Sequence, residues 1–200
     1  LLTQSKSLFA LDVKTGDTQW VYAARASIRH NAIAIGNGRV YLIDKPKEPA
    51  DLPKNAPKKK QRSSKPSRLL CLDADTGNTV WEQDEDIFGT TLALSTKHKV
   101  LLMCYQYAQR TFQLPSEKGD RLAGIDAHDG TRLWDTKGRY VSRPIINGST
   151  VITQPYAYDL LTGTRDTDFK VTGRQPGGCG PMSGSTHLLL YRSGTLGYTD

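Results

Sequence analysis

The sequence predicts an all-β protein built from repeated four-stranded antiparallel blades, a β-propeller, and three observations carry that expectation. A short unit recurs along the chain, tight turns alternate with apolar runs of strand length, and no stretch has the periodicity of an amphipathic helix. The unit reads Leu11-Asp12, Thr15-Gly16 and Trp20, then Leu72-Asp73, Thr76-Gly77 and Trp81, then Ile125-Asp126, Gly130 and Trp134. A fourth copy, Tyr158-Asp159 with Thr162-Gly163, carries Thr167 at the tryptophan position, and Leu196 to Asp200 begins a fifth.

Each part of the unit has a physical task. Apolar residues alternating with small or polar ones up to the aspartate (Leu8, Ala10; Leu70, Leu72; Leu122, Ile125) read as a strand buried on at least one face. The aspartate carboxylate accepts backbone N–H groups just ahead of it, and the glycine four residues on takes positive φ, so the chain reverses into a hairpin. Four residues beyond Gly16, Gly77 and Gly130 a tryptophan arrives on the returning strand. An indole buries about 150–250 Å² and wants a partner for its N–H, which suits a dock between neighbouring sheets. In the fourth copy Thr167 cannot fill such a dock, which leaves Phe169 or a neighbouring blade to cover the gap.

Between consecutive hairpins lies a second strand pair. Asn31 to Ile35 and Arg39 to Ile43 flank the turn Gly36-Asn37-Gly38, and Thr91 to Leu94 and Val100 to Cys104 flank Ser95 to Lys99. Pro144 to Ile146 and Val151 to Gln154 flank Asn147-Gly148, and Leu188 to Arg192 precedes Ser193-Gly194. Four antiparallel strands per repeat joined by tight turns are what a propeller blade requires. No run approaches the ~20 apolar residues of a membrane helix.

The stretch Leu8 to Trp20 resembles, almost letter for letter, the Leu-x-Ala-Leu-Asp-x-x-Thr-Gly-x-x-x-Trp signature of the pyrroloquinoline-quinone-type (PQQ-like) β-propeller repeat. The resemblance covers nearly the whole chain, with insertions accounting for uneven spacing between the repeat aspartates. It implies that residues 1–200 are one partial propeller, with complete blades at about 30–82, 90–135 and 143–169 and partial blades at 1–22 and 178–200. That is about half of an eight-bladed ring, and so a piece of a longer protein. It also implies a periplasmic or secreted location, since members are mostly periplasmic, secreted or anchored on the outer side of a membrane.

The formal net charge of +7 invites a nucleic-acid partner, but its distribution argues against one. Residues 45–68 hold nine Lys or Arg against Glu48 and Asp51, which is the entire excess. The basicity therefore belongs to one Pro- and Lys-rich insertion that reads as a solvated loop. A second insertion, Gln106 to Asp120, carries Tyr107 and Phe112 and reads as an ordered surface loop. Cys71, Cys104 and Cys179 form no disulfide framework, and Cys71 and Cys104 read as core residues.

Catalytic and metal signatures are missing. The chain has no Gly-x-Ser-x-Gly elbow, phosphate loop, His-Glu-x-x-His or Cys-x-x-Cys, and His30, His98, His128 and His187 are scattered. The acidic run Glu82, Asp84, Glu85, Asp86 lacks the glycine and spacing of a calcium loop and reads as a solvated connection. Quinone dehydrogenases of the family that the repeat resembles hold cofactor and calcium in the channel with a catalytic Asp, a stacking Trp and often a disulfide between adjacent cysteines. Here there is no Cys-Cys pair, all three tryptophans sit at the dock position, and every repeat aspartate is assigned to a turn.

The expected function is thus a binding or scaffolding module of a larger extracytoplasmic protein, whose partners are its other domains or other proteins. No cofactor is expected. A quinoprotein dehydrogenase, with pyrroloquinoline quinone and calcium, is one alternative, and an outer-membrane protein-assembly propeller is another. Innermost strands of such propellers face the central funnel, so His30, Arg143, Arg174 and Cys179, which precede or open those strands, are the channel candidates. Around Cys179 the stretch Gly177-Gly178-Cys179-Gly180 also reads as a tight turn around a buried thiol.

Overall fold

The computed structural model describes residues 4–52, 66–105, 114–138, 140, 143–169, 182–185, 187–191 and 194–197. Their strands form four antiparallel sheets in which each strand pairs with its neighbour in sequence. The first holds β1 (Gln4–Leu11), β2 (Thr18–Gly36), β3 (Arg39–Asp44), β4 (Arg68–Asp73) and β5 (Thr79–Gln83). The second holds β6 (Thr91–Ser95), β7 (Val100–Cys104), β8 (Arg121–Asp126) and β9 (Arg132–Lys137). The third holds β10 (Ile145–Asn147), β11 (Thr150–Ile152), β12 (Ala157–Asp159) and β13 (Arg165–Asp166), and the fourth β14 (Ser183–Gly184), β15 (Leu188–Tyr191) and β16 (Gly194–Gly197). Among the described residues there is no α-helix.

Every repeat turn is closed in the same way. Asp12 Oδ1 accepts the N–H of Lys14 and Thr15 at 2.8 and 2.9 Å, and the Gly16 N–H returns to the Asp12 carbonyl at 2.8 Å. Asp73 and Asp159 repeat both side-chain bonds, to Asp75 and Thr76 and to Leu161 and Thr162, and Asp126 keeps the first of them, to His128. The glycines that follow have φ of +78°, +71°, +82° and +69° at Gly16, Gly77, Gly130 and Gly163, the region that L side chains avoid. The Thr15 and Lys14 N–H groups hold the Asp12 carboxyl below its ordinary value, and the Thr76 hydroxyl and N–H do the same to Asp73.

Indoles join one repeat to the next. The Nε1–H of Trp20 donates to the Ala74 carbonyl at 2.9 Å, that of Trp81 to Ala127 at 3.3 Å, and that of Trp134 to Leu160 at 2.8 Å. Each acceptor is the residue after the aspartate of the following repeat. The ring lies against that repeat's glycine: a Cβ on Gly77, Gly130 or Gly163 would come within 2.7, 2.8 and 2.5 Å of Trp20, Trp81 and Trp134. After the fourth turn, where Thr167 stands, Phe169 packs on the cluster of Ile152, Ala157, Met182 and Leu189 that joins the third and fourth sheets.

The core explains why the middle strands read as unbroken apolar runs. Alternate side chains leave opposite faces of a strand. In β3, Val40 and Leu42 pack towards Trp20 and Tyr22, whereas Tyr41 and Ile43 pack towards Leu101 and Met103 of β7. In β7 itself, Leu101 and Met103 face that cluster, and Val100, Leu102 and Cys104 face Trp134, Val151 and Tyr158. The middle strands of the first three sheets are therefore buried on both faces by different clusters, and both Cys71 and Cys104 are core thiols whose acidity burial suppresses, Cys71 to about 11 and Cys104 to about 12.

One element departs from the expected layout. The sequence reading ends one strand at Tyr22 and begins another at Asn31, but β2 runs unbroken from Thr18 to Gly36 and pairs with β1 over its first part and β3 over its second. Asp44 makes this possible. Pairing to β1 lapses between Ala23 and Ile28, and there the N–H groups of Arg25 and Ala26 donate to the Asp44 carboxylate at 2.7 and 2.9 Å. Arg68 binds the same carboxylate at 2.7 Å and Glu82 at 2.6 Å. Burial pushes the Asp44 carboxyl up, but the Arg68 guanidinium and the two backbone donors outweigh it and leave it below its ordinary value.

The two kinds of repeat glycine can be separated by substitution. Gly16→Ala meets only the backbone strain of positive φ, since nothing lies within 4 Å of the new methyl, and costs about 1–2 kcal/mol. Gly130→Ala adds displacement of the Trp81 ring to the same strain, and its loss of stability in chemical denaturation exceeds that of Gly16→Ala.

Candidate functional site

Aspartate turns and the β2–β3 and β6–β7 turns lie at one end of the strands, the turn face. The long connections leave from the other end, the loop face: β3 to β4 across residues 45–67 and β7 to β8 across 105–120. The described ends of both expected insertions are thus on one side of the molecule, and the rest of each, Tyr107 and Phe112 included, lies outside the described residues. Within the first, Pro49–Asp51 forms a single 3-10 turn, and within the second Pro115–Glu117 forms another.

These two turns bind each other. Asp51 Oδ1 accepts the Ser116 N–H at 2.9 Å, and Asp51 Oδ2 accepts the Ser116 hydroxyl at 2.6 Å. Beneath them lies Arg29 of β2, with Nη2 3.6 Å from Asp51 and Nη1 3.7 Å from Glu117. The three side chains are 1, 0 and 2% exposed, so this is a buried ionic triad. Arg29 Nη2 also donates to the Pro46 carbonyl at 3.1 Å, whereas Nε and Nη1 have no hydrogen-bond acceptor among the described residues. Burial drives the Asp51 carboxyl up, and the Ser116 hydroxyl and N–H, the Glu48 N–H and the Arg29 charge together pull it below its ordinary value.

Lys45 fastens the first insertion to the connection between β5 and β6, donating to the Phe88 carbonyl at 2.9 Å, and pairs with Glu48 at 2.7 Å. Phe88 in turn meets Tyr105 with ring centroids 5.3 Å apart, and the Arg121 guanidinium lies 4.3 Å above the Phe88 ring. The acidic run separates into two ion-pair groups. Glu82 joins Arg68 and Arg25, while Asp86 joins Arg121 and Arg132, and the Arg121 contact takes the Asp86 carboxyl down to about 2.

Of the channel candidates, the structure brings two into one neighbourhood. His30 is exposed on β2 with Nε2 2.8 Å from Ser5 Oγ, and Arg143 donates to Oδ1 of the adjacent Asn31 at 3.4 Å. Arg174 and Cys179 lie outside the described residues. The residues that build the loop face, Arg29, Asp51, Ser116 and Glu117, carry no sequence signal of their own; the nearest hint is that Glu48 and Asp51 are the two acids in an otherwise basic insertion.

Quinone and calcium do not fit the described residues. Each indole is bound to the neighbouring repeat, the repeat aspartates hold turn N–H groups on Oδ1, and among the described residues no three His, Cys, Asp or Glu side chains converge. What the arrangement does chemically is hold two loops in a fixed relation on one face.

Residues 60–176 match the family model described as outer membrane protein assembly factor BamB, a span that holds the second and third tryptophans and three of the aspartate turns. The chain belongs to the PQQ-like repeat family. Among solved structures it is similar to BamB from Moraxella catarrhalis, at 20% identity over 96% of this chain and 54% of that one with a TM-score of 0.46. It is also similar to the quinohemoprotein alcohol dehydrogenase ADHIIG from Pseudomonas putida HK5, at 14% identity over 84% of this chain and 32% of that one with a TM-score of 0.52. A europium-containing methanol dehydrogenase matches at 11% identity over 95% of this chain and 45% of that one with a TM-score of 0.53. The last two establish the fold, the all-β propeller of four-stranded blades, and at such identity the fold alone. The chain spans about half or less of the length of these structures. No curated protein matches the chain at a significant level.

The Arg29 triad makes a pH-dependent contribution whose sign follows from the lowered Asp51 carboxyl. It is complete above the ordinary carboxylate range, about pH 4, and disappears as the pH falls through the folded-state value. Asp51→Asn leaves Arg29 short of one buried counter-charge and lowers stability at neutral pH by about 3 kcal/mol. In thermal melts run from neutral to strongly acidic pH, the gap between variant and wild type closes below about pH 4.

Proposed function

We propose that the chain is a protein-binding segment of a PQQ-like propeller within a larger extracytoplasmic protein, and that the loop face is its contact surface. The observation that carries this reading is the buried Arg29–Asp51–Glu117 triad between the two insertions. Burying three charges costs several kcal/mol per ion before their attraction offsets it, so loops that only cap a sheet gain nothing from it. What such a triad supplies is a single arrangement of the described ends of the two loops, and a surface ordered before contact loses less entropy on binding. The description of the matching family as an assembly factor of outer membrane proteins supports a protein partner and a location outside the cytoplasm. Its partners are other domains of the same protein or separate proteins, and the indole contacts between repeats act as the docks that keep the blades in register beneath the surface.

A photo-crosslinking amino acid placed in the full-length protein tests the assignment. At the exposed loop-face positions Ala50 and Lys118 it yields discrete adducts, and at the exposed turn position Lys14 it yields none from the same partner. Titration of the same protein with pyrroloquinoline quinone and calcium leaves the melting temperature unchanged; a saturable rise would instead assign the propeller to quinone chemistry.

A further inference from the structure

The junction between the first and second sheets differs from the next one at two register positions. The β8–β9 ladder pairs Gly124 with Trp134, and with no side chain at Gly124 the indole settles on its own strand, where a Cβ would stand 2.2 Å from Nε1. Trp134 is accordingly 8% exposed and donates at 2.8 Å. In the β4–β5 ladder the residue opposite Trp81 is Cys71, which carries the side chain that Gly124 lacks. Trp81 stays half-buried and reaches the Ala127 carbonyl at 3.3 Å, an acceptor it shares with the Tyr41 hydroxyl at 3.1 Å. Counting from the paired ends of the strands, Tyr41 stands where β7 has Leu102.

The result is a cleft of about 580 Å³ on the turn face, between β5 and the β8–β9 turn, within the size range of about 300–1,000 Å³ for ligand pockets. Tyr41, Val80 and Trp81 form its apolar wall, and Val80 is 45% exposed there. Its rim carries Arg39, Lys99, His128 and Asp129. Arg39 is bound to Asp73 at 2.6 Å, and one Asp129 oxygen accepts the Thr131 N–H at 2.8 Å. Lys99, raised on a residue with φ of +55°, has no carboxylate partner among the described residues, and the His128 imidazole beside it is exposed.

We infer that this cleft is a docking site for an acidic peptide segment bearing an aromatic residue. The ring enters against the exposed part of Trp81, which Tyr41 backs from within, and against Val80. A flanking carboxylate meets Lys99 and His128, and the rim residues Asn37, Thr96 and His128, all exposed, leave the cleft open along the turn face for the rest of the segment to pass over. The site lies at the end of the strands opposite the loop face, and shares no residue with it.

Isothermal titration of the full chain with N-acetyl-Asp-Phe-Asp-amide tests the site. Saturable binding is expected, weakened at least tenfold by Lys99→Glu, weakened likewise by Val80→Asp, and unaffected by Lys118→Glu on the loop face. Melting temperatures of the variants confirm that each is folded. Absence of saturation at millimolar peptide overturns the assignment, as does equal affinity for the same peptide with Lys in place of Asp, or for one with Ala in place of Phe. Displacement of the peptide by equimolar phenylacetate would mark a small-molecule pocket and overturns the peptide assignment as well. Crosslinking at Ala50 and Lys118 reads the loop face separately, so failure here leaves that result standing.

Discussion

Everything else in this structure depends on the contact between an indole and the turn of the following repeat. A sheet that is apolar on both faces has no stable existence alone, because each face must be covered by another layer. The indole fixes how that cover is applied. Its N–H selects one carbonyl, the residue after the repeat aspartate, and its ring selects one glycine. The glycine is therefore required twice, once because positive φ closes the turn and once because any side chain would stand where the ring must lie. Three residues spaced along a short unit thus specify both a hairpin and the position of the next hairpin, which is why the unit survives insertions of very different length between copies.

The loop face obeys a different logic. The turn face is governed by aspartate carboxylates that close their own turns and by indole N–H groups that reach the next one, whereas the insertions are tied together by a buried ionic cluster: Asp51 to Ser116, and Arg29 to both Asp51 and Glu117. The basic excess of the first insertion points to a solvated loop, yet its described end is anchored by one acid and one base, Asp51 to Ser116 and Arg29, and Lys45 to the Phe88 carbonyl. Net charge says nothing of where such a loop attaches; individual buried side chains decide that.

The repeat was legible in the sequence because each of its residues expresses a local preference: the Asx turn at Asp12, the positive φ of Gly77, the large apolar surface of Trp134. The strand pairs around Asn37-Gly38 and Gly148 were legible for the same reason. Continuity of β2 was not, because Ala23 to Arg29 lacks alternation and is held extended by Asp44, a residue 18 or more positions away. The Arg29 triad was hidden for a related cause, since no spacing rule brings residue 29 to residue 117. The cleft beside Trp81 was hidden in plain repeat periodicity; it arises from Cys71 and Tyr41 standing where the next copy has Gly124 and Leu102, a difference that has meaning only once the ladders are aligned.

The unbroken course of β2 also sets how the molecule can deform. Junctions after β5 and β9 are made of side chains laid on turns, and such contacts slide and tilt before they part. Between β1 and β3 the join is main chain, with backbone ladders on either side and the Asp44 carboxylate bridging the lapse between them. That part of the ring behaves as a stiff arm. Any twist or widening imposed from outside is concentrated at the junctions further along the chain, beginning with the loosely seated Trp81, and so bears first on the cleft that this indole borders.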